Sequence, residues 1–146
     1  RDPHEVRRRG LELQVKGRVG LLGGSLNYGA GWTWLTGDTT NEDYGRTSPR
    51  HTFTFTARYT RGPWEGGLAL TSVDVFESDW KSVDERAHPI GYFTRLDMSL
   101  TRRFAMDGAV GHWALYGRNL LNQRYQTQLG FRDPGMTWGL EVGADY

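Results

Sequence analysis

The sequence has 146 residues, a formal charge of +1 and no cysteine. That is enough for one domain or part of one. Nothing in it demands a polyanionic partner, and a disulfide framework or a zinc–thiolate site is excluded. Glycine is frequent (20) and aromatics reach 13%. Mean hydropathy is −0.64, and no apolar run approaches the roughly 18 residues of a membrane helix. A hydropathy scan would read such a chain as soluble, but it is blind to membrane barrels, in which every second residue faces the lumen. The opening Arg1-Asp2-Pro3-His4-Glu5 holds no apolar signal core, so the expectation is a mature product or a piece cut from a longer chain.

The first strand is expected from about Val6 to Arg18, with Leu11, Leu13 and Val15 against Glu12, Gln14 and Lys16. Arg7-Arg8-Arg9 reads as a solvated rim rather than a nucleic-acid patch. After a Gly-rich turn near Gly20–Gly24, Ser25–Thr36 places Leu26, Tyr28, Ala30, Trp32 and Trp34 on one face and Asn27, Gly29, Gly31 and Thr33 on the other. A long polar stretch, 37–49, leads to a third strand, His51–Thr60. There Phe53, Phe55, Ala57 and Tyr59 alternate with Thr52, Thr54, Thr56, Arg58 and Thr60. Arg61-Gly62-Pro63 is a tight turn. The fourth strand runs from Trp64 to about Val75, and a second polar stretch covers 77–89.

The fifth strand, Gly91–Phe104, sets Tyr92, Leu96, Met98, Leu100 and Phe104 against Arg95, Asp97, Ser99, Thr101 and Arg103. A turn at 105–108 precedes the sixth, from Ala109 to about Asn119, with Trp113 and Leu115 opposite His112, Tyr116 and Arg118. The longest connection, 120–136, leads to Thr137–Tyr146. There Trp138, Leu140, Val142, Ala144 and Tyr146 alternate with Thr137, Gly139, Glu141, Gly143 and Asp145. A tilted strand of about ten residues crosses a bilayer, and aromatics at its ends suit the two interfaces.

Alternation alone leaves two readings, a lipid-facing surface or the dry core of a sandwich. Three features favour lipid: short and long connections alternate, the strands are long, and aromatics sit at strand ends. The fold class expected is therefore all-β, an antiparallel up-and-down transmembrane β-barrel section. Seven strands leave unpaired N–H and C=O groups at both rims, each costing several kcal/mol in lipid. The outer strands are thus expected to pair with strands outside this sequence.

Four segments resemble a known family. They are Arg9-Gly10-Leu11-Glu12-Leu13, Ser48-Pro49-Arg50-His51-Thr52, and Gly91-Tyr92 with Leu96-Asp97-Met98-Ser99-Leu100. The fourth is Asn119-Leu120-Leu121-Asn122-Gln123-Arg124-Tyr125, followed by Gly130-Phe131 and Pro134-Gly135. Together and in this order they resemble the TonB-dependent outer-membrane receptors. Met136 stands where the family usually has Arg after Pro-Gly, and Tyr146 where the last residue is more often Phe. The resemblance implies a barrel of about 22 strands around a plug, of which this chain would be the C-terminal section, 1–146, with plug and earlier strands absent. It implies an outer-membrane location, a TonB partner acting through the plug, and import of a scarce ligand such as a ferric siderophore or cobalamin. The alternatives are a soluble all-β binding module, or a complete small barrel with an adhesin or structural role and an eighth strand within 125–132.

No catalytic constellation is legible, and no cofactor or metal is expected. His4, His51, His88 and His112 lack ligand spacing, and Asp38, Glu42 and Asp43 lack the calcium-loop pattern. Binding therefore falls to the loops, where Tyr44, Arg46, Trp80, Lys81, Arg86, Tyr125, Phe131 and Arg132 combine rings that stack with cations that pair with anionic oxygens. The final strand has a second expected task. Trp138, Leu140, Val142 and Tyr146 resemble the insertion signal read by the barrel-assembly machinery through strand addition. Lipid and lipopolysaccharide are the expected surroundings, and nucleic acid is not an expected partner.

Overall fold

The computed structural model describes residues 6–39, 48–77, 89–128 and 130–145. Nine strands follow in order: β1 (Val6–Leu21), β2 (Gly24–Thr39), β3 (His51–Arg61), β4 (Trp64–Glu77), β5 (Pro89–Met106), β6 (Ala109–Arg118), β7 (Gln126–Gln128), β8 (Phe131–Arg132) and β9 (Thr137–Asp145). Seven of them form one antiparallel sheet in the order β1-β2-β3-β4-β5-β6-β9; β7 and β8 make a separate ribbon. The period of two thus located every long strand, and the observed strands run up to three residues past the expected ends. The segment with room for an eighth strand forms the ribbon and does not join the sheet.

Short turns lie at one end and long connections at the other. The β1–β2 hairpin turns on Leu22 and Gly23 at φ 50° and 76°, the positive pair of a type I′ turn, whose twist matches the strands. Gly62 at φ 54° precedes Pro63, so glycine fills the position where a type II′ turn needs positive φ. At the opposite end of β5, Gly91 at φ 81° sits where a Cβ would come 2.6 Å from the Phe76 ring. No other residue fits there without displacing the β4 partner.

The register separates the faces strand by strand. Leu13, Trp32 and Phe53 fall in one cross-strand row, as do Leu68 and Met98. Glu12 and Thr33, and Ala69 and Asp97, fall on the opposite face. The polar face is concave: a groove of about 1060 Å³ is lined by Lys16, Gly29, Thr56, Gly67, Asp97 and Tyr116, one from each of six successive strands, among others. On the same face Glu65 faces Arg58 at 3.7 Å and Arg103 at 3.8 Å, and His112 lies 3.5 Å from Glu141. Rings also lie over glycines on this face: a Cβ at Gly139 would collide with the Tyr116 ring, and one at Gly143 would meet His112 at 2.6 Å.

The convex face is apolar and uncovered. Among the described residues the only buried apolar side chains are Ile90, Phe93 and Tyr125, so no second layer packs on the sheet as a sandwich requires. Leu140 and Val142, on the free rim of β9, are 69% and 71% exposed. Aromatics mark both ends of this face. Trp32 stacks on His51 at 5.8 Å near the long connections; Trp64 meets Trp113 edge-on at 5.7 Å near the short turns. No helix among the described residues is long and apolar enough to cross a membrane; the strands carry that reading.

Candidate ligand-binding mouth

β5 outruns β6 at the long-loop end. Their pairing stops at Met98–Gly117, which leaves the backbone of 93–97 to find other partners. The connection after β6 supplies them. Leu120 N–H donates to Leu96 C=O at 2.8 Å, and Thr94 N–H donates to Gln123 Oε1 at 2.7 Å. Asn119 and Asn122 make the bend, at φ 51° and 50°; asparagine visits the left-handed region more readily than most residues.

Asn119 is the centre of this junction and is 1% exposed. Its Nδ2 donates to Gln123 C=O and to Asp133 Oδ1, both at 2.8 Å, and its Oδ1 accepts from Gln123 N–H at 3.1 Å. Its own N–H donates to Asp97 Oδ1 at 2.9 Å, while Asp97 Oδ2 lies 3.0 Å from Arg95 Nε. The Arg95 pair is an ion pair without hydrogen-bond alignment. Asp133 also accepts from Gly135 N–H at 2.9 Å, and Asn122 Oδ1 accepts from Met136 N–H at 3.1 Å. The Tyr125 ring stacks on Phe93 at 3.7 Å, and its hydroxyl joins Arg95 and Asp133.

Burial pushes the Tyr125 hydroxyl above its ordinary value, against the opposing pull of Arg95. Burial also acts to raise Asp133, but donors from Gly135 and Asn119, then Tyr125 and Arg95, outweigh it and hold the carboxyl below the usual range. A depressed carboxylate contributes stability that is present above its unfolded pKa and lost as pH falls through the folded one. The segment 119–136 should therefore loosen below the ordinary carboxylate range. Limited proteolysis at descending pH should show cleavage in this segment rising there, and Asp133→Asn, which keeps an acceptor without the charge, should flatten the dependence.

This junction holds the β7–β8 ribbon at the end of the groove, with Phe131 71% exposed and Arg132 also exposed. Of the loop residues singled out in the sequence, the structure thus presents Phe131 and Arg132 and packs Tyr125 inside. Tyr44, Arg46, Trp80, Lys81 and Arg86 lie outside the described residues, as do His4, His88, Glu42, Asp43 and Tyr146. Trp138, Leu140 and Val142 line the free rim of β9 on the convex face. Sequence reasoning gave Phe93 and Asp133 no role and Asn119 only a place in a family motif. The only available signal was the cluster of turn-formers Asn119, Asn122 and Asp133-Pro134-Gly135.

A curled antiparallel sheet, open at both rims, wet inside and apolar outside, defines a section of a membrane β-barrel. The sequence model of the family described as "TonB dependent receptor-like, beta-barrel" matches residues 4–122, and the chain belongs to that family. The family is one of outer-membrane receptors and transporters, and its full receptors carry a plug and interact with TonB. No curated protein and no solved structure matches the chain.

Proposed function

We propose that this chain is the C-terminal section of the barrel of a TonB-dependent receptor that binds a scarce ligand outside the cell and imports it. A ferric siderophore or cobalamin is the ligand class that fits best. The observation that carries the reading is the open seven-stranded arc with an apolar convex face, in a chain whose residues 4–122 match the family. The plug, the earlier strands and the contact with TonB belong to the rest of the receptor. Lipid and lipopolysaccharide cover the convex face, and β9, with Tyr146 after it, is the strand read by the barrel-assembly machinery. Expressed alone in detergent, the chain should not give a monomeric, heat-modifiable barrel, because β1 and β9 each have one neighbour.

Among the described residues, exposed Phe131 and Arg132 are the pair assigned here to ligand contact. A ring beside a guanidinium suits a planar anionic chelate, by stacking and by paired donors. In the intact receptor, Phe131→Ala with Arg132→Ala should weaken binding of the transported ligand about tenfold, which corresponds to roughly 1.4 kcal/mol, while heat-modifiability is kept. Identical affinity in the double variant would remove these residues from the site.

A further inference from the structure

The arginines of β3 and β5 fall into two groups. Arg58, Arg95 and Arg103 face the groove, and each meets a carboxylate: Glu65 at 3.7 Å, Asp97 at 3.0 Å and Glu65 at 3.8 Å. Arg61 and Arg102 stand on the convex face, are exposed, and form no ion pair among the described residues. They are not scattered. The register aligns Arg61 with Trp64, Trp64 with Arg102, and Arg102 with Trp113, across four successive strands near the short turns. The Arg102 guanidinium lies 5.1 Å from the Trp64 ring, and Trp64 meets Trp113 edge-on at 5.7 Å.

An arginine facing hydrocarbon is costly unless it reaches an anion or the interface. The contact with Trp64 holds the Arg102 guanidinium over the ring, and its exposed N–H donors suit a phosphate. Arg61 is paired in register with Trp64 on its other side, at the end of β3. Tryptophan itself settles at head-group depth. A second copy of this face is a poor occupant, because it would set cation against cation. We propose that Arg61 and Arg102, interleaved with Trp64 and Trp113, bind the phosphodiester of a glycerophospholipid in the inner leaflet of the outer membrane. The site rests on the membrane reading above, with the short turns toward the periplasm.

The test uses the full-length receptor in detergent, supplied with phosphatidylglycerol or phosphatidylethanolamine and observed by native mass spectrometry. The wild-type protein should hold one phospholipid under activation that strips the rest. Arg61→Gln with Arg102→Gln should cut that retention at least fivefold, Arg102→Lys should fall between, and Arg58→Gln on the groove face should match wild type. If the double variant does not assemble, each single Gln variant is measured in its place. Millimolar inorganic phosphate should leave the lipid bound; displacement by it would make this a free-anion site and overturn the head-group assignment. Equal retention in the Gln variants would overturn the site while the membrane reading stands, whereas a receptor monodisperse without detergent would overturn that reading first.

Discussion

Asn119→Ala should release the whole β6–β9 connection. The substitution strips a donor from Asp133 and a donor and an acceptor from Gln123, at a position 1% exposed. Each buried group left unsatisfied costs about 1–3 kcal/mol. Alanine must also hold the left-handed backbone of φ 51°, at roughly 1 kcal/mol. At the low end for each of the three groups the combined loss is about 4 kcal/mol, and it is local, because the partners lost, Gln123 and Asp133, both lie within the connection. Hydrogen exchange should show the amides of 120–136 opening by a factor of at least a hundred, with β3–β4 amides unchanged. Asn119→Asp separates the causes: it tolerates the same backbone but removes both Nδ2 donors and points a second carboxylate at Asp133. It should open the segment nearly as much as alanine. Protection equal to wild type in both variants would mean the junction is incidental.

The second large effect concerns which face meets lipid. Met98 lies mid-strand on the convex face, in one row with Leu68 and Gly117. Its neighbour Ser99 points into the groove, in a row with Gly67 and Tyr116. In the intact receptor, Met98→Arg should cost about 2–4 kcal/mol, the range for arginine at the bilayer midplane. Ser99→Arg should be close to neutral, because its cation enters a wet groove already holding Lys16 and Asp97. The fraction of heat-modifiable receptor in outer membranes should fall sharply for the first and little for the second. The reverse order would turn the sheet inside out and remove the lipid reading with it.

The strands were legible because one force shaped them throughout. A face that must be apolar beside a face that must be wet leaves a period of two, and β3 shows it almost without a break. The strand ends were less legible: β1 continues through Val19 to Leu21 and turns on Leu22 and Gly23, where a leucine takes a positive φ that no local pattern announces. The junction at Asn119 was legible as a motif and a cluster of turn-formers, but not as a set of contacts. Its partners are drawn from β5, the loop start and the loop end, 22, 4 and 14 residues away, and no periodicity links such positions. Phe93 escaped for a related reason. It is an aromatic on the polar face, and only the arrival of Tyr125 makes burial there favourable. Tyr125, a loop aromatic in the sequence, is buried against Phe93, while Phe131 on the ribbon stays exposed.

The glycines opposite Tyr116 and His112 bear on how the last strand finds its seat. Those two rings rest above Gly139 and Gly143. Sliding β9 by two residues, the smallest slip that keeps its greasy side outward, would bring Thr137 or Glu141 under Tyr116 and Glu141 or Asp145 under His112. Neither ring would then find a hollow. The sixth strand alone thus distinguishes this alignment from its nearest rivals.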